Sequence, residues 1–306
     1  MQPMTKYSPY AHALEQIPVS RFEISVLGSL TRYWVYGPAN AATTIVIAHG
    51  YRGEHHGFEP VIAQLPGIRW IGPDMPGFGE STPLTEVPHS IAGYAKWLTA
   101  FIDAIGETGK AITLGHSFGS IISADAVSHG LDTPALILVN PISTSGLNGS
   151  NAVGTVLTVW FYRVAGLLPD ALGSYLLRRW IIVQFMSSTL AKTKNRSLRR
   201  WIHDQHHTYF NRFANRDVVV EAFEASVSRD VSNFAATLTL PTLLVAAELD
   251  EITPVAAHHE LIAVLPDATL TILRGVGHLI HYEAPELAAE AITAFLLAQG
   301  YQSSAP

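Results

Sequence analysis

Ser117 lies between two glycines in the sequence Gly-His-Ser-Phe-Gly at residues 115–119, where an apolar run ends and a helical pattern begins. A serine on a sharp strand-to-helix turn holds its hydroxyl above the edge of a sheet, and small neighbours let the strand and the helix approach each other. The N–H of Phe118 would then lie at the start of a helix, where it can donate to a negatively charged oxygen. The five-residue pattern alone is weak evidence for a nucleophile because it also occurs by chance. The strand before it and the helix after it are what support the assignment. We predict that Ser117 is a catalytic nucleophile.

A serine hydroxyl needs a base to remove its proton, and the base needs a carboxylate to orient it. Asp250 follows the apolar run at residues 241–248, and His278 follows the run at residues 269–273. If both runs are strands of one parallel sheet, both side chains lie at the edge where open α/β sheets bind their ligands. We therefore predict Asp250 and His278 as the other two members of a catalytic triad.

Two other carboxylates and a second histidine lie close to these positions. Glu248 and Glu251 flank the predicted acid, and His281 follows the predicted base by three residues. Asp250 is preferred because it stands at the strand exit, and its spacing to Pro254 is typical of a loop that leads into a helix. Glu251 is expected to be an exposed neighbour. His281, about one helical turn onward, is expected on the surface or behind the reacting groups.

A second glycine-containing loop, His-Gly-Tyr-Arg-Gly at residues 49–53, follows another apolar run. Serine hydrolysis needs a second backbone donor for the oxyanion, and in this chemistry it comes from the loop after the third strand. Gly50 permits the backbone angles that turn an amide inward. The candidate oxyanion donors are the N–H groups of Tyr51 and Phe118. His49 is expected to make a structural hydrogen bond.

Eight short runs of apolar and β-branched residues are predicted to be the strands that position these residues. In the first half of the chain they alternate with helical patterns at residues 58–65, 91–105 and 120–128. Alternating strands and helices imply right-handed crossovers and a mostly parallel sheet. The alternation returns near the C-terminus, with helices expected at residues 256–265 and 285–298. The predicted strands are residues 22–27, 33–36, 43–49, 68–72, 111–115, 135–140, 241–248 and 269–273.

The pattern changes after Pro141. A stretch rich in Ser, Gly and Asn at residues 143–151 leads into about 80 residues of helical character. The simplest organisation is one core domain at residues 1–141 and 240–306, interrupted by a helical cap, or lid, at residues 142–239. Large apolar side chains in the cap either pack on the core or line an apolar substrate cleft. The candidates for substrate contact are Trp160, Phe161, Tyr162 and Trp180.

Five segments together resemble the serial motifs of the α/β-hydrolase superfamily, in the branch that contains esterases, lipases and C–C hydrolases. They read HGYRG (49–53), DMPGFGES (74–81), GHSFG (115–119), ELDEITP (248–254) and GVGH (275–278). The resemblance implies an α/β fold with a mostly parallel twisted sheet, flanking helices and an inserted helical cap. It also implies an acyl-enzyme reaction that needs no metal or organic cofactor, and a structural turn at Asp74.

The function that these residues favour is a serine hydrolase that cleaves a carboxylic ester, and the apolar cap favours a hydrophobic or acyl-lipid ester. Other serine-acyl reactions stay open, namely those of thioesterases, C–C hydrolases, lactonases and acyltransferases, as does a receptor with slow turnover. Haloalkane dehalogenases and epoxide hydrolases use a carboxylate nucleophile, whereas residue 117 is a serine. C–C hydrolases usually carry a more glycine-rich loop than residues 49–57, which counts against that branch.

Composition narrows the class of partner. The 306 residues carry a formal net charge of −6, which gives no basic surface for nucleic acid. Cysteine is absent, so no disulfide or thiol nucleophile is expected. The histidines at positions 55, 56, 203, 206 and 207 are interpreted as polar surface, and no metal site is predicted.

The expected partner is a small-molecule or lipid ester, and the expected location is the cytoplasm. No apolar run reaches the roughly 18 residues of a spanning helix, and no secretory signal is evident. Basic residues in the cap nevertheless leave open a peripheral contact with anionic lipid headgroups. They are Arg178, Arg179 and the run at residues 192–200.

Overall fold

The computed structural model describes residues 8–144 and 152–302, and these contain one sheet of eight strands. The strands are β1 (Val19–Val26), β2 (Ser29–Tyr36), β3 (Thr44–Ala48), β4 (Arg69–Pro73), β5 (Ile112–His116), β6 (Leu136–Val139), β7 (Thr242–Ala247) and β8 (Ala268–Leu273). Their order is β1-β2-β4-β3-β5-β6-β7-β8. β2 pairs antiparallel with β1 and β4, and all the other pairs are parallel. All eight predicted strands are present, and the predicted fold class is confirmed.

The central strands are buried on both faces, which explains their almost continuous apolar sequences. Every residue of β5 and of β6 is buried. β5 lies between β3 and β6, with Gly115 opposite Ala48 on one side and Leu138 on the other. The loops that follow β3, β5, β6 and β7 therefore leave the sheet at the same edge, and the loop after β5 is at the centre.

Twelve α-helices occur in the described residues, and seven of them flank the sheet. Trp97, Phe101 and Ile121 belong to an apolar cluster that includes residues of α3 and α4. Val61 and Phe295 belong to a second cluster, with residues of α2 and α12. The seven helices are α1 (Ala11–Leu14), α2 (Glu59–Ile62), α3 (Ile91–Ala104), α4 (Phe118–Ser128), α10 (Val255–Ile262), α11 (Ile280–Glu283) and α12 (Pro285–Ala298).

The other five helices lie between β6 and β7, where the sequence predicts the helical cap. They are α5 (Ala152–Leu167), α6 (Asp170–Leu177), α7 (Trp180–Leu190), α8 (Arg196–Tyr209) and α9 (Arg216–Ser228). The side chains of Asn195 and Asn215 accept hydrogen bonds from the first-turn N–H groups of α8 and α9, as good N-caps do. Residues 145–151, in the predicted Ser/Gly/Asn-rich stretch, lie outside the described residues. Among the helices described, none has the length and apolar character needed to cross a bilayer.

The inserted helices contact the loops that follow β3 and β4. Tyr162 on α5 stacks on Phe223 of α9 with ring centroids 4.0 Å apart, and the ring of Tyr51 meets both. The Gly79 N–H donates to the Arg212 carbonyl (2.8 Å), which joins the loop after β4 to the link between α8 and α9. The insertion is thus attached to the core on the side where the triad candidates lie.

Candidate active site

Ser117 lies at the turn between β5 and α4 with φ 52° and ψ −116°, a backbone conformation that residues other than glycine rarely adopt. The two flanking glycines are required by backbone contacts. A Cβ at Gly115 would lie 2.5 Å from the Gly119 carbonyl oxygen, and a Cβ at Gly119 would lie 1.9 Å from the Ala48 carbonyl oxygen. The five-residue pattern therefore has a geometric cause, and it leaves the Ser117 side chain only half-buried.

The structure brings the three predicted triad residues together. The Nε2 atom of His278 lies 2.8 Å from the Ser117 Oγ, and its Nδ1 atom lies 2.7 Å from the Asp250 Oδ2. When Nδ1–H donates to the carboxylate, Nε2 carries a lone pair that faces the serine hydroxyl. This is the arrangement that a general base needs to remove the hydroxyl proton.

The competing residues make other contacts. Glu248 accepts a hydrogen bond from a backbone N–H of the neighbouring loop (2.8 Å), and Glu251 forms an exposed ion pair with Lys192 (2.5 Å). His281 is buried with its ring centroid 4.3 Å from that of His116. Burial and then the neighbouring His116 hold the pKa of His281 well below its usual range. His281 therefore lies behind the reacting groups, as a neutral packed side chain.

Asp250 is a buried carboxylate that hydrogen bonds keep ionised. Burial raises its pKa, but the proximity of His278 and three hydrogen bonds outweigh this effect and hold the pKa below its usual value. Those bonds come from the His278 ring and from the N–H groups of Ile252 (2.8 Å) and Thr253 (3.3 Å). The negative charge is thus available to orient and stabilise an imidazolium.

Asn140 is a site residue that the sequence analysis missed. It follows β6 directly with φ 45°, is fully buried, and its Nδ2 donates to the Asp250 Oδ2 (3.2 Å). Its backbone N–H donates to the Val245 carbonyl (2.8 Å), which fixes it at the same sheet edge. The available signal was a polar residue at the exit of an apolar strand run, since Asn140 closes residues 135–140.

The loop after β3 passes directly beside the nucleophile. A Cβ at Gly50 would lie 3.5 Å from the Ser117 Cβ and 2.9 Å from the His116 Nδ1, so only glycine lets the backbone come this close. The Tyr51 peptide follows at once, and Phe118 begins α4, where the first N–H groups have no partner within the helix. His49 makes the expected structural bonds, donating from Nδ1 to the Gly50 carbonyl (2.8 Å) and accepting at Nε2 from a backbone N–H (2.8 Å).

Arg52, the next residue of that loop, is a second feature that the sequence analysis missed. Its side chain is almost completely buried, and its φ is 57°. The guanidinium donates to the Phe210 carbonyl (2.9 Å), the Leu177 carbonyl (3.1 Å) and the Asn211 side chain (2.9 Å). All three acceptors belong to the inserted helices or their links. Arg52 therefore connects the loop of Tyr51 to the insertion.

Glu283 makes a corresponding connection on the side of the predicted base. Its carboxylate accepts hydrogen bonds from the N–H groups of Lys192 (2.5 Å) and Thr193 (2.7 Å), in the link between α7 and α8. It also accepts from the N–H of Gly277 (3.0 Å), the residue before His278. The position of the His278 loop is thus tied to the inserted helices.

The four predicted substrate contacts divide into two pairs. Tyr162 is buried, with its ring edge-on to that of Tyr51 (centroids 5.9 Å apart), and Phe161 packs beside it. Trp160 and Trp180 are 66% and 64% exposed. The structure groups Tyr162 with the loop beside Ser117, whereas the two tryptophans lie on the outer surface of the insertion.

The interpretation of the paired histidines as polar surface is wrong for two of them. His55 is buried, with its ring stacked on Trp34 (centroids 3.3 Å apart) and its Nδ1 atom 2.7 Å from the Asp74 Oδ1. His206 is buried on α8 with its Nδ1 atom 2.7 Å from the Ser187 Oγ, and burial lowers its pKa to about 3. The local sequence predicts that these rings are exposed. Aromatic and hydroxyl side chains from distant elements bury them instead.

One cluster in the described residues has three side chains that could bind a metal ion. The donor atoms of Glu54, His55 and His56 all lie within 4.8 Å of one another. One atom of each side chain is already hydrogen-bonded, since the His56 Nδ1 contacts the Glu54 Oε1 (2.5 Å) and the His55 Nδ1 contacts Asp74 outside the cluster (2.7 Å). The Glu54 Oε2 has no hydrogen bond but lies 3.7 Å from an Arg212 nitrogen. Asp74 also accepts from the Glu80 N–H (2.8 Å), in agreement with its expected role in a structural turn.

Comparison with known proteins identifies the family of the chain. Residues 39–285, more than half of the chain, match the family described as Serine aminopeptidase, S33. The pimeloyl-[acyl-carrier protein] methyl ester esterase of Xanthomonas campestris pv. campestris (strain B100) is 26% identical over 274 residues, which are 86% of this chain and 96% of that protein.

Solved structures show the same fold. A thermophilic esterase from Thermogutta terrifontis superposes with a TM-score of 0.71 at 20% identity, over 92% of this chain and 100% of that one. The epoxide hydrolase CorEH gives the same TM-score at 14% identity and the same coverage of both chains. Since the two neighbours are named for different reactions, the fold leaves the reaction open. By its sequence and its fold, the chain belongs to the α/β-hydrolase family described as Serine aminopeptidase, S33.

Proposed function

We propose that the protein is a serine hydrolase that cleaves a carboxylic ester through an acyl-enzyme intermediate. Ser117 is the nucleophile, His278 the general base and Asp250 the orienting acid. The observation that carries this proposal is the continuous series of hydrogen bonds from the Ser117 Oγ to His278 (2.8 Å) and on to Asp250 (2.7 Å). Membership of a hydrolase family supports it.

In the first step the Ser117 Oγ attacks the ester carbonyl carbon while His278 Nε2 takes the hydroxyl proton. The carbonyl electron pair moves onto oxygen, and the N–H groups of Tyr51 and Phe118 stabilise that oxyanion. Collapse of the tetrahedral intermediate breaks the bond to the alcohol oxygen, which receives the proton from His278. In the second step His278 removes a proton from water and the hydroxide attacks the acyl carbonyl carbon. The bond from that carbon to the Ser117 Oγ then breaks, His278 returns its proton to Oγ, and the carboxylic acid leaves.

A hydrophobic acyl group is the substrate class that we favour. Tyr51, which adjoins Ser117 through the oxyanion loop, has ring contacts with Phe78, Phe118, Tyr162 and Phe223. The four partner rings are buried, so the half-buried Tyr51 would present the apolar wall of this packed cluster to an acyl chain, which would remove apolar area from water there. The relative from Xanthomonas campestris is named for the methyl ester of an acyl group, which also supports this class.

We also propose a division into a core at residues 1–141 and 240–306 and a cap at residues 142–239. The position of five consecutive helices between two neighbouring parallel strands supports this division. In this organisation the half-buried Phe161 is the candidate for the acyl side of the site, and the buried Tyr162 packs behind Tyr51. The exposed Trp160 and Trp180 would contact a substrate only while it approaches the site.

The nucleophile is tested by covalent labelling with a fluorophosphonate, which reacts with activated serines. We expect labelling of the native protein and of Ser123→Ala, a control in which a buried hydroxyl on the same helix is removed. Labelling should be lost in Ser117→Ala. Labelling that persists in a folded Ser117→Ala variant would assign the nucleophile to another residue.

The reaction is tested with p-nitrophenyl esters from acetyl to palmitoyl and with matched thioesters, lactones and acyl acceptors. We expect turnover of esters, with kcat/KM that rises with acyl length until the apolar cleft beside Tyr51 is filled. Faster reaction with the thioesters, the lactones or the acyl acceptors than with the esters would assign the corresponding serine-acyl reaction. Labelling without turnover on any panel would indicate a receptor with a retained site.

A further inference from the structure

Helices α6 and α7 follow one another in the chain, and each exposes large apolar side chains. Leu172 and Tyr175 lie three residues apart on α6, and Ile181 and Phe185 lie four apart on α7, so each pair shares a helix face. Tyr175, Ile181 and Phe185 are 62%, 63% and 72% exposed. Arg179 joins the two helices, since its guanidinium lies over the Tyr175 ring and donates to the Tyr175 hydroxyl. We call Leu172, Tyr175, Ile181 and Phe185 the α6–α7 apolar surface.

Helix α8 runs beside α7 and carries basic side chains along the side next to it. The ring of His207 stacks on Trp180 of α7 (centroids 5.2 Å apart), and His203 contacts a serine hydroxyl of α7 (2.6 Å). Arg196, Arg200, His203 and His207 follow one another at steps of three or four residues and therefore share one side of α8. Both arginines are exposed.

Charge is distributed very unevenly between this region and the rest of the protein. Residues 152–203 contain eight Lys or Arg and a single acidic residue, Asp170, which gives a net charge of +7. The rest of the chain therefore carries −13, since the total is −6. A positive region on an otherwise strongly negative protein orients the molecule towards a negatively charged surface.

From these observations we propose that the α6–α7 apolar surface and the basic side of α8 dock onto a lipid bilayer that carries anionic headgroups. The apolar side chains would enter the boundary between headgroups and acyl chains, while the arginines contact phosphates. A second copy of the chain fits this surface less well, because two regions of charge +7 would face each other. The docking does not depend on the proposed ester hydrolysis, since neither surface includes a triad residue.

The test uses co-sedimentation of the full chain carrying Ser117→Ala, so that the vesicle lipid is not consumed. We expect binding to phosphatidylglycerol–phosphatidylcholine vesicles, much weaker binding to pure phosphatidylcholine, and loss of most binding when salt is raised to about 0.5 M. Ile181→Ser plus Phe185→Ser should weaken binding at least tenfold. Arg196→Gln plus Arg200→Gln should remove most of the preference for the anionic vesicles.

The matched control is Val264→Ser plus Leu297→Ser, which removes two apolar side chains of similar exposure (58% and 59%) from elsewhere on the molecule. It should bind as the parent does, and circular dichroism should show that all variants are folded. The proposal would be overturned if the Ile181→Ser plus Phe185→Ser variant (the α7 variant) bound as well as the control, or if the parent did not bind. A dimer in light scattering that the α7 variant alone abolishes would overturn it too, by assigning this surface to a second copy.

Discussion

At the scale of single residues, Asp250 is a carboxylate that the fold buries and nevertheless keeps charged. Burial alone would raise its pKa and favour a neutral acid, which could not stabilise an imidazolium. The proximity of His278 and the N–H groups of Ile252 and Thr253 reverse that effect. The Asn140 side chain adds a donor to the oxygen that faces His278. The acid of the proposed triad is thus specified by donors from His278, from the residue after β6 and from its own loop.

We expect Asp250→Asn to lower kcat by about 10³–10⁴-fold, with a small change in KM. The amide keeps the volume but loses the charge, and its NH2 group donates to the His278 Nδ1, so the ring proton moves to Nε2 and His278 no longer presents a lone pair to Ser117. Stopped-flow hydrolysis of the best p-nitrophenyl ester would measure the effect. Glu251→Gln, which removes an exposed carboxylate next in the sequence, should stay near the native rate. A rate within tenfold of native for Asp250→Asn would mean that another group orients His278.

At the scale of elements, local signals predicted the strands and helices around Ser117 well. The predicted strand at residues 111–115 is β5 (Ile112–His116), and the predicted helix at residues 285–298 is α12 (Pro285–Ala298). β1 begins three residues earlier than predicted, because its exposed edge has no apolar signal and its extent is set by pairing with β2 through the turn at Leu27 and Gly28. Buried strands and capped helices have local causes, whereas edge strands depend on a partner.

Local sequence signals could not identify the polar residues that the fold buries. The groups that accept hydrogen bonds from Arg52 lie 110 to 159 residues away in the sequence, and the Asn140–Asp250 bond spans 110 residues. Burial of such side chains depends on which distant elements meet over them, so a short sequence window holds no sign of it. The triad candidates were predictable because each follows a recognisable strand.

We expect Arg52→Met to lower kcat by about tenfold or more, while KM changes little. Loss of the bonds that hold this loop to the insertion would displace the Tyr51 N–H, and complete loss of one oxyanion donor costs about 10²–10³-fold. Kinetics on the best ester, together with a thermal unfolding scan, would distinguish displacement of the Tyr51 N–H from a loss of stability of the fold. Arg229→Met, which removes an exposed arginine, is the control. A lower melting temperature with native kcat would show that Arg52 only supports the fold.

At the scale of the whole molecule, several buried histidines are held neutral. Burial lowers the pKa of His49 to about 4 and of His116 and His206 to about 3. In the unfolded chain each ring titrates near its usual 6.5, so below that pH the unfolded state binds protons that the folded state excludes. The stabilising contribution is therefore present above pH 6.5 and is lost as the pH falls. Asp250, whose folded pKa is depressed, acts in the same direction at lower pH.

We therefore expect the free energy of unfolding to fall below pH 6.5 by up to about 1.4 kcal/mol per pH unit for each neutral buried histidine, and so by up to about 4 kcal/mol per unit for these three. His206→Gln should make this slope shallower by about 1.4 kcal/mol per unit, because one proton-binding difference is removed. Urea unfolding of both proteins between about pH 7 and pH 5 would measure it, with His259→Gln, an exposed histidine on α10, as the control. Equal slopes in the native protein and His206→Gln would mean that His206 takes up its proton in the folded state as readily as in the unfolded chain.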